Sequence, residues 1–343
     1  MGRKHLATAL RFAFVAAALG LGGYAVASQW QAVHGELGRL QLSAYLTSLV
    51  AVVVGLVASM LVWRALLAGL GSGLSVRVAG GIFFVGQLGK YLPGSVWPML
   101  AQMELGRRHQ VPRAKSAAAF LLVTMVMLAT GCGCAAIVLP LAGVGLPGAV
   151  DPMAYRWVLA AGLLTLGFLH PRLLGWLLTL ALRLARRPPL DSPMPYPALL
   201  TALGWAVVAW SGYGMHVWLL LRPLAGGQPA VSPVTAVALA TGGFALAWCA
   251  GLLAFVVPAG VGVREAALVA VVSPLLDRPS GLVVALVSRL LVTVGDLLLA
   301  GAAALAGPRV RVATADGVET AALADAAAGQ PGETAERSPV ATR

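Results

Sequence analysis

From Leu42 to Trp63 the chain runs for 22 residues without one Lys, Arg, Asp or Glu. About 20 apolar residues cross the hydrocarbon of a bilayer as a helix. Lipid offers no partner for backbone N–H and C=O groups, so only helices and closed barrels can span it. Further apolar runs lie at 12–28, 117–139, 197–221, 232–257 and 281–305, with a shorter one at 155–169. Hydrophobic residues make up 59% of the chain and charged residues 10%, against roughly 25% charged in soluble domains. A water-soluble fold is excluded. The expected fold is all-α: a polytopic integral membrane protein of seven or eight transmembrane helices with one or two re-entrant segments.

Charge supplies the orientation. Residues 1–306 hold 20 Lys and Arg against 7 Asp and Glu, and residues 307–343 hold 4 against 5. The first stretch is therefore the expected membrane domain. The second, rich in Ala, Thr, Glu and Gly without an aromatic residue, is the expected disordered tail. Seven basic residues lie between 64 and 115: Arg64, Arg77, Lys90, Arg107, Arg108, Arg113 and Lys115. Cytoplasmic loops concentrate Lys and Arg, so both ends of this region are expected in the cytoplasm, with the N-terminus. The apolar part between them, 78–100, must then enter and leave on one side as a re-entrant hairpin, or lie on the surface as an amphipathic segment. The basic residues flank spans and form no aromatic-interleaved patch, which argues against nucleic acid as a partner. Anionic lipid headgroups fit them better. An interfacial helix is expected around Trp176, where Arg172, Arg183, Arg186 and Arg187 alternate with leucines.

Two segments break the apolar pattern. Residues 86–115 carry Lys90, Tyr91, Pro93, Gly94, Gln102 and Glu104, and residues 257–265 carry Pro258, Gly260, Gly262, Arg264 and Glu265. Non-helical backbone at membrane depth survives only where protein or a wet cavity satisfies it. Ionisable residues there mark functional sites by default. The last apolar run adds Arg289 and Asp296, seven residues apart and so on one helix face. They can pair with each other or with neighbours such as Glu265. Laying Pro93 on Pro258 aligns Pro-Gly-Ser-Val with Pro-Ala-Gly-Val, a short internal repeat of the kind that points to transporter sites. Whether its halves run parallel or inverted stays open.

Other chemistry is not visible. Gly260-x-Gly262 lacks the third glycine of a dinucleotide fingerprint, with Glu265 in its place, and no nucleophile elbow, Walker loop or metal motif occurs. No cofactor and no metal are expected. Cys132, Cys134 and Cys249 lie in apolar runs and read as small hydrophobes, and His216 as a helix-packing residue with a hydrogen-bond partner. An integral-membrane transferase would need Glu104, Glu265 or Asp296 as its base.

At the two interruptions, Gly89-Lys90-Tyr91-Leu92-Pro93-Gly94-Ser95-Val96-Trp97 and Val257-Pro258-Ala259-Gly260-Val261-Gly262-Val263-Arg264-Glu265, the sequence resembles the flippase-like transmembrane family, that of the lysylphosphatidylglycerol synthase transmembrane region. The first motif departs from the commoner glycine-rich form at Trp97-Pro98. The resemblance covers roughly 1–306 and implies a multi-pass protein of the cell membrane that moves lipids or lipid-linked precursors between leaflets. In bifunctional members this domain precedes a lipid-modifying one; here the chain ends after its tail, so no synthase activity is expected. The expected binding residues are Lys90, Tyr91, Pro93, Gly94, Gln102, Glu104, Pro258, Gly260, Gly262, Arg264, Glu265, Arg289 and Asp296. Lys90 and Arg264 would meet a lipid phosphate, with the carboxylates as counter-charges. The alternatives are a membrane scaffold for an envelope glycosyltransferase, with that enzyme as partner, and a lipid transferase.

Overall fold

The computed structural model describes residues 30–91, 96–141, 160, 162–167, 169–184, 194–225, 232–254, 260 and 262–306. Every regular element among them is helical: α1 (Trp30–Arg39), α2 (Leu42–Gly69), α3 (Val76–Gln87), a 3-10 turn (Leu88–Tyr91), α4 (Trp97–Arg107), α5 (Arg113–Leu141), α6 (Pro171–Leu184), α7 (Tyr196–Leu224), α8 (Pro233–Leu253), α9 (Val263–Val272) and α10 (Arg278–Ala306). Among the described residues five helices are long and apolar enough to cross a membrane: α2, α5, α7, α8 and α10. The expected count was seven or eight. The run at 12–28 lies outside the described residues, and 155–169 is described only in part, with 162–167 helical. The tail from 307 on also lies outside them.

The spanning helices overrun their apolar cores. Helix α2 continues past Arg64, whose Nε reaches the Leu74 carbonyl at 2.7 Å and so leaves the apolar zone. Small residues set how closely the helices approach, since lipid supplies no hydrophobic drive between them. A Cβ on Gly212 of α7 would sit 2.9 Å from the Gly55 nitrogen of α2. Ser48 meets His216, Gly55 meets Gly212 and Gly69 meets Ala198, so α2 and α7 are antiparallel. Helix α8 runs antiparallel to α7, with Thr241 at Gly214 and Trp248 at Trp210. It is antiparallel to α5 as well, with Cys249 at Gly131 and Leu139 at Gly242.

Helices α3 and α4 form a hairpin, Gly86 lying beside Gln102 and Gly89 beside Pro98. Their 12 and 11 residues are about 18 and 16 Å long, roughly half of the ~30 Å hydrocarbon. Helix α3 starts at Ser75, whose side chain accepts the Val78 N–H, and α4 starts with Pro98 in its first turn. The second interruption makes a hairpin with one long arm, the spanning helix α8, and one short arm, α9. Helix α8 stops at Leu253, four residues short of the expected end. Helix α9, of 10 residues, folds back along α8, with Arg264 at Gly251 and Leu268 and Val271 at Gly243. The turn between them needs glycine: Gly260 has φ +65°, and a Cβ there would stand 2.5 Å from the Gly251 Cα. Helix α10 then runs antiparallel to α9, with Gly281 against Val269 and Val272.

One end of the bundle collects the C-termini of α2, α4 and α10 and the N-termini of α3 and α5. Arg77 at the start of α3 donates to the carbonyl of Ala306, the last residue of α10. Glu104 of α4 pairs with Arg107 and with Arg113 of α5, both at 2.8 Å. The basic segment 64–115 thus has both of its ends at one face of the bundle. Helix α6 buries Leu174 and Leu178 and turns Trp176 and Leu180 outward.

Candidate functional site

The polar centre is assembled on α10. Asp296 is 2% exposed and takes Lys90 Nζ at 2.5 Å and the Tyr91 hydroxyl at 2.7 Å, both on the same carboxylate oxygen. Lys90 also stands 5.4 Å from the centre of the Tyr91 ring. Two turns earlier, Arg289 reaches Glu265 of α9 at 2.5 Å. The sequence allowed Arg289 and Asp296 to pair with each other, but each is engaged with a different hairpin. Sharing a face gives them the same surroundings, and the opposite charges at the two hairpin tips come closer to each than the other does. One helix therefore joins the two interruptions.

Glu265 has a second task. Its other carboxylate oxygen accepts the Gly262 N–H at 2.6 Å, where Gly262 caps α9 with φ +84°. A carboxylate at a helix N-terminus satisfies an orphan donor and complements the dipole. The N-terminus of α9 is thus partly occupied by the chain's own carboxylate.

Arg264 is left over. Its guanidinium lies over the Phe244 ring at 4.6 Å, and its Nη2 is buried with no hydrogen-bond partner. Among the described residues no carboxylate stands within ion-pair distance of it. Phe244 in turn stacks on Tyr213 at 4.9 Å, and the Tyr213 hydroxyl lies 3.1 Å from Ser59 Oγ. The guanidinium therefore rests on an aromatic face, an arrangement stronger once desolvated, and keeps its Nη2 without a partner. Among the described residues, Lys90 pairs with Asp296 and Arg289 with Glu265, and Arg264 has no carboxylate within ion-pair distance.

Of the other residues singled out from sequence, Gly260 and Gly262 shape the α8–α9 turn. Gln102 is fully buried inside the α3–α4 hairpin with both amide atoms unpartnered. Glu104 stands apart at the basic end, its side chain 46% exposed. Arg113 first and Arg107 second hold its carboxyl below the ordinary range. Pro93, Gly94 and Pro258 lie outside the described residues.

Sequence reasoning did not find Tyr213 and Phe244. The available signal was local: Gly212 and Gly214 flank Tyr213, and Gly242 and Gly243 precede Phe244, so each ring sits where backbones approach closely. His216 does have its partners. Its Nδ1 lies 2.6 Å from Ser48 Oγ of α2 and its Nε2 lies 2.8 Å from Ser288 Oγ of α10, which ties three helices together beside the site. Its ring meets Phe244 edge-on at 5.8 Å.

These elements define a class: an α-helical membrane bundle in which two hairpins, one of two short helices and one of a spanning helix with a short one, bring charged side chains to the middle of one spanning helix. Residues 6–300 match the family described as the lysylphosphatidylglycerol synthase TM region, and the chain belongs to that family. A search of curated proteins gives no match to the chain.

Proposed function

We propose that this protein moves lipids, or lipid-linked precursors, between the leaflets of the cell membrane by passing a phosphate-bearing headgroup through the charged centre. The buried Nη2 of Arg264 carries this reading, since it has no hydrogen-bond partner and no carboxylate among the described residues stands within ion-pair distance. A buried cation without a counter-ion is costly, and an incoming anion relieves that cost. Arginine suits the task because its planar fork binds phosphate oxygens in pairs. Membership of a family with a lipid-related membrane domain supports the same assignment. In this reading the α3–α4 hairpin is re-entrant from the cytoplasmic side, the N-terminus is cytoplasmic, and the whole domain, 1–306, has seven or eight spans. A headgroup crosses along the polar centre while its acyl chains stay in lipid. The partners are anionic or phosphate-bearing lipids.

The test is movement of a labelled anionic phospholipid in proteoliposomes, scored per folded molecule with thermal stability alongside. Arg264→Gln is expected to be nearly inactive and Arg264→Lys partly active. Transport at the parent rate by folded Arg264→Gln protein removes the phosphate assignment. Turnover of a lipid donor without transport would instead mark a transferase, and neither activity a scaffold.

A further inference from the structure

The two carboxylates of the charged centre are held differently. Glu265, with a side chain 12% exposed, spreads its oxygens over two partners, Arg289 and the Gly262 N–H. Asp296 is buried more deeply, at 2%, and its two donors, Lys90 Nζ and the Tyr91 hydroxyl, both address Oδ2. Of the elements packed against α10, the 3-10 turn brings Lys90 and Tyr91, and α9 brings Arg264 and Glu265. Helix α7 brings Tyr213 and, through Ser288, His216. Helix α2 meets Gly295 with Leu49, Val52 and Leu56, and its Tyr45 lies two turns from Val52 along the helix. Arg77 of α3 and Glu36 of α1 act at the two ends of α10, on Ala306 and Ser280. On α10 itself, Arg289 is taken by Glu265. Among the described residues Lys90 is thus the cation paired with Asp296, and its side chain, 31% exposed, is the open part of the pair.

We propose that Asp296 takes up one proton with each anionic headgroup that binds at Lys90, so that lipid and proton enter the centre as a neutral pair. An anion on the Lys90 ammonium brings a second negative charge to a carboxylate that water does not screen. Two anions sharing one cation favour the protonated form of the carboxyl. The alternative, a buried carboxylate whose cation has turned to the headgroup, is costly. Tyr91 holds the carboxyl in place by continuing to donate to Oδ2, which leaves Oδ1 to take the proton from solvent reaching the exposed flank of Lys90. Arg264 provides the contrast. No carboxylate among the described residues stands within ion-pair distance of it, so an anion held there alone brings no proton. Ionisable side chains inside a membrane commonly carry protons in pumps and transporters. The inference rests on the lipid reading and adds a source of direction to it: a proton gradient across the membrane drives net movement of the neutral pair.

The experiment uses the full chain in zwitterionic detergent micelles and a short-chain phosphatidylglycerol, a phosphodiester whose own charge stays fixed over the pH range scanned. Binding heats taken in two buffers of different ionisation enthalpy count the protons exchanged, with empty micelles as the blank. For the parent, about one proton is expected to enter per lipid bound. Its dissociation constant is expected to rise about tenfold per unit of rising pH, because a ligand that binds with a proton loses affinity as protons become scarce. Infrared difference spectra are expected to gain the carbonyl band of a protonated carboxyl when lipid is added. In Asp296→Asn the band, the proton uptake and the pH slope all vanish while lipid still binds. Should that variant fold poorly, Lys90→Gln serves instead: its Asp296 has lost its cation and is protonated before lipid arrives, so no proton enters on binding. Lys90→Arg restores the uptake. Lipid binding by the parent without proton uptake, the result for an anion held by Arg264 alone, overturns the coupling and leaves the lipid reading standing. Uptake that persists in Asp296→Asn or in Lys90→Gln overturns the assignment to this pair. Binding of phosphatidylglycerol no stronger than that of phosphatidylcholine removes the lipid reading, and the coupling with it.

Discussion

Asp296 shows how far a residue's role can be read from its type and spacing. Its position in an apolar run marks it as a buried group needing a partner, and it has two, Lys90 and Tyr91. Their identity was not legible, because the partners lie more than 200 residues away on an element whose placement depends on tertiary packing. Double-mutant cycles read the pairing directly. Lys90–Asp296 and Arg289–Glu265 are expected to show coupling, while Arg289–Asp296 shows much less. Asp296→Ala alone strands Lys90 and is expected to cost about 3 kcal/mol, with part recovered when Lys90 is also removed. Strong coupling of Arg289 to Asp296 in detergent melts would contradict the arrangement. His216 makes a similar case without charge. His216→Ala removes the partner of both Ser48 and Ser288 and opens a cavity between three helices, for an expected loss of about 2–4 kcal/mol. A change in melting temperature no larger than that of a lipid-facing Leu200→Ala control would show that the bridge contributes little.

At the scale of elements the apolar runs located the spanning helices, and the errors fall at the ends. Helix α8 ends four residues before its apolar run does, and the turn into α9 places Gly260 and Gly262 at positive φ, a backbone sign that a hydropathy pattern does not carry. Gly260→Ala tests this. The residue would be forced to a left-handed φ with its Cβ in the backbone of Gly251, so a loss of at least 1–3 kcal/mol is expected, larger than for Gly73→Ala, where a Cβ meets open space. Equal melting temperatures for the two variants would place the turn elsewhere. The α3–α4 hairpin was legible as two short apolar arms around Pro93-Gly94, but its fastening to α5 through Glu104 was not; the same carboxylate had been a candidate for the binding site. The neighbouring guanidinium groups lower the carboxyl pKa of Glu104, so its contribution is fully present above the ordinary carboxylate range and is lost as pH falls through the lowered value. Hydrogen exchange across 97–107 is therefore expected to accelerate as pH falls below the ordinary glutamate value. In Glu104→Gln that acid step should be absent. A step centred at the ordinary glutamate value or above it would mean that the two arginines do not hold the carboxylate.

For the whole molecule, charge asymmetry and hairpin geometry bear on one question, which end faces the cytoplasm. Arg64, Arg77, Arg107, Arg108, Arg113 and Lys115 belong to helix ends that meet at one face, and a hairpin with arms of about 16–18 Å cannot deliver its two ends to opposite sides of ~30 Å of hydrocarbon. The direction of α10 then places Ser273, in the turn before it, at the other face. In the proposed orientation the basic face is the cytoplasmic one, the side on which Lys and Arg concentrate by the positive-inside rule. In a Cys-free background, Gly73→Cys and His109→Cys flank the hairpin on exposed positions, whereas Ser116, also near its end, is buried and would give a false negative. An impermeant reagent added to intact cells is expected to label Ser273→Cys and to leave Gly73→Cys and His109→Cys unmodified until the membrane is opened. Labelling of Gly73→Cys and His109→Cys from outside, with Ser273→Cys protected, would invert the orientation but keep the hairpin. Labelling of only one of the two hairpin flanks would require the segment between them to cross the bilayer, and neither arm is long enough to do that alone.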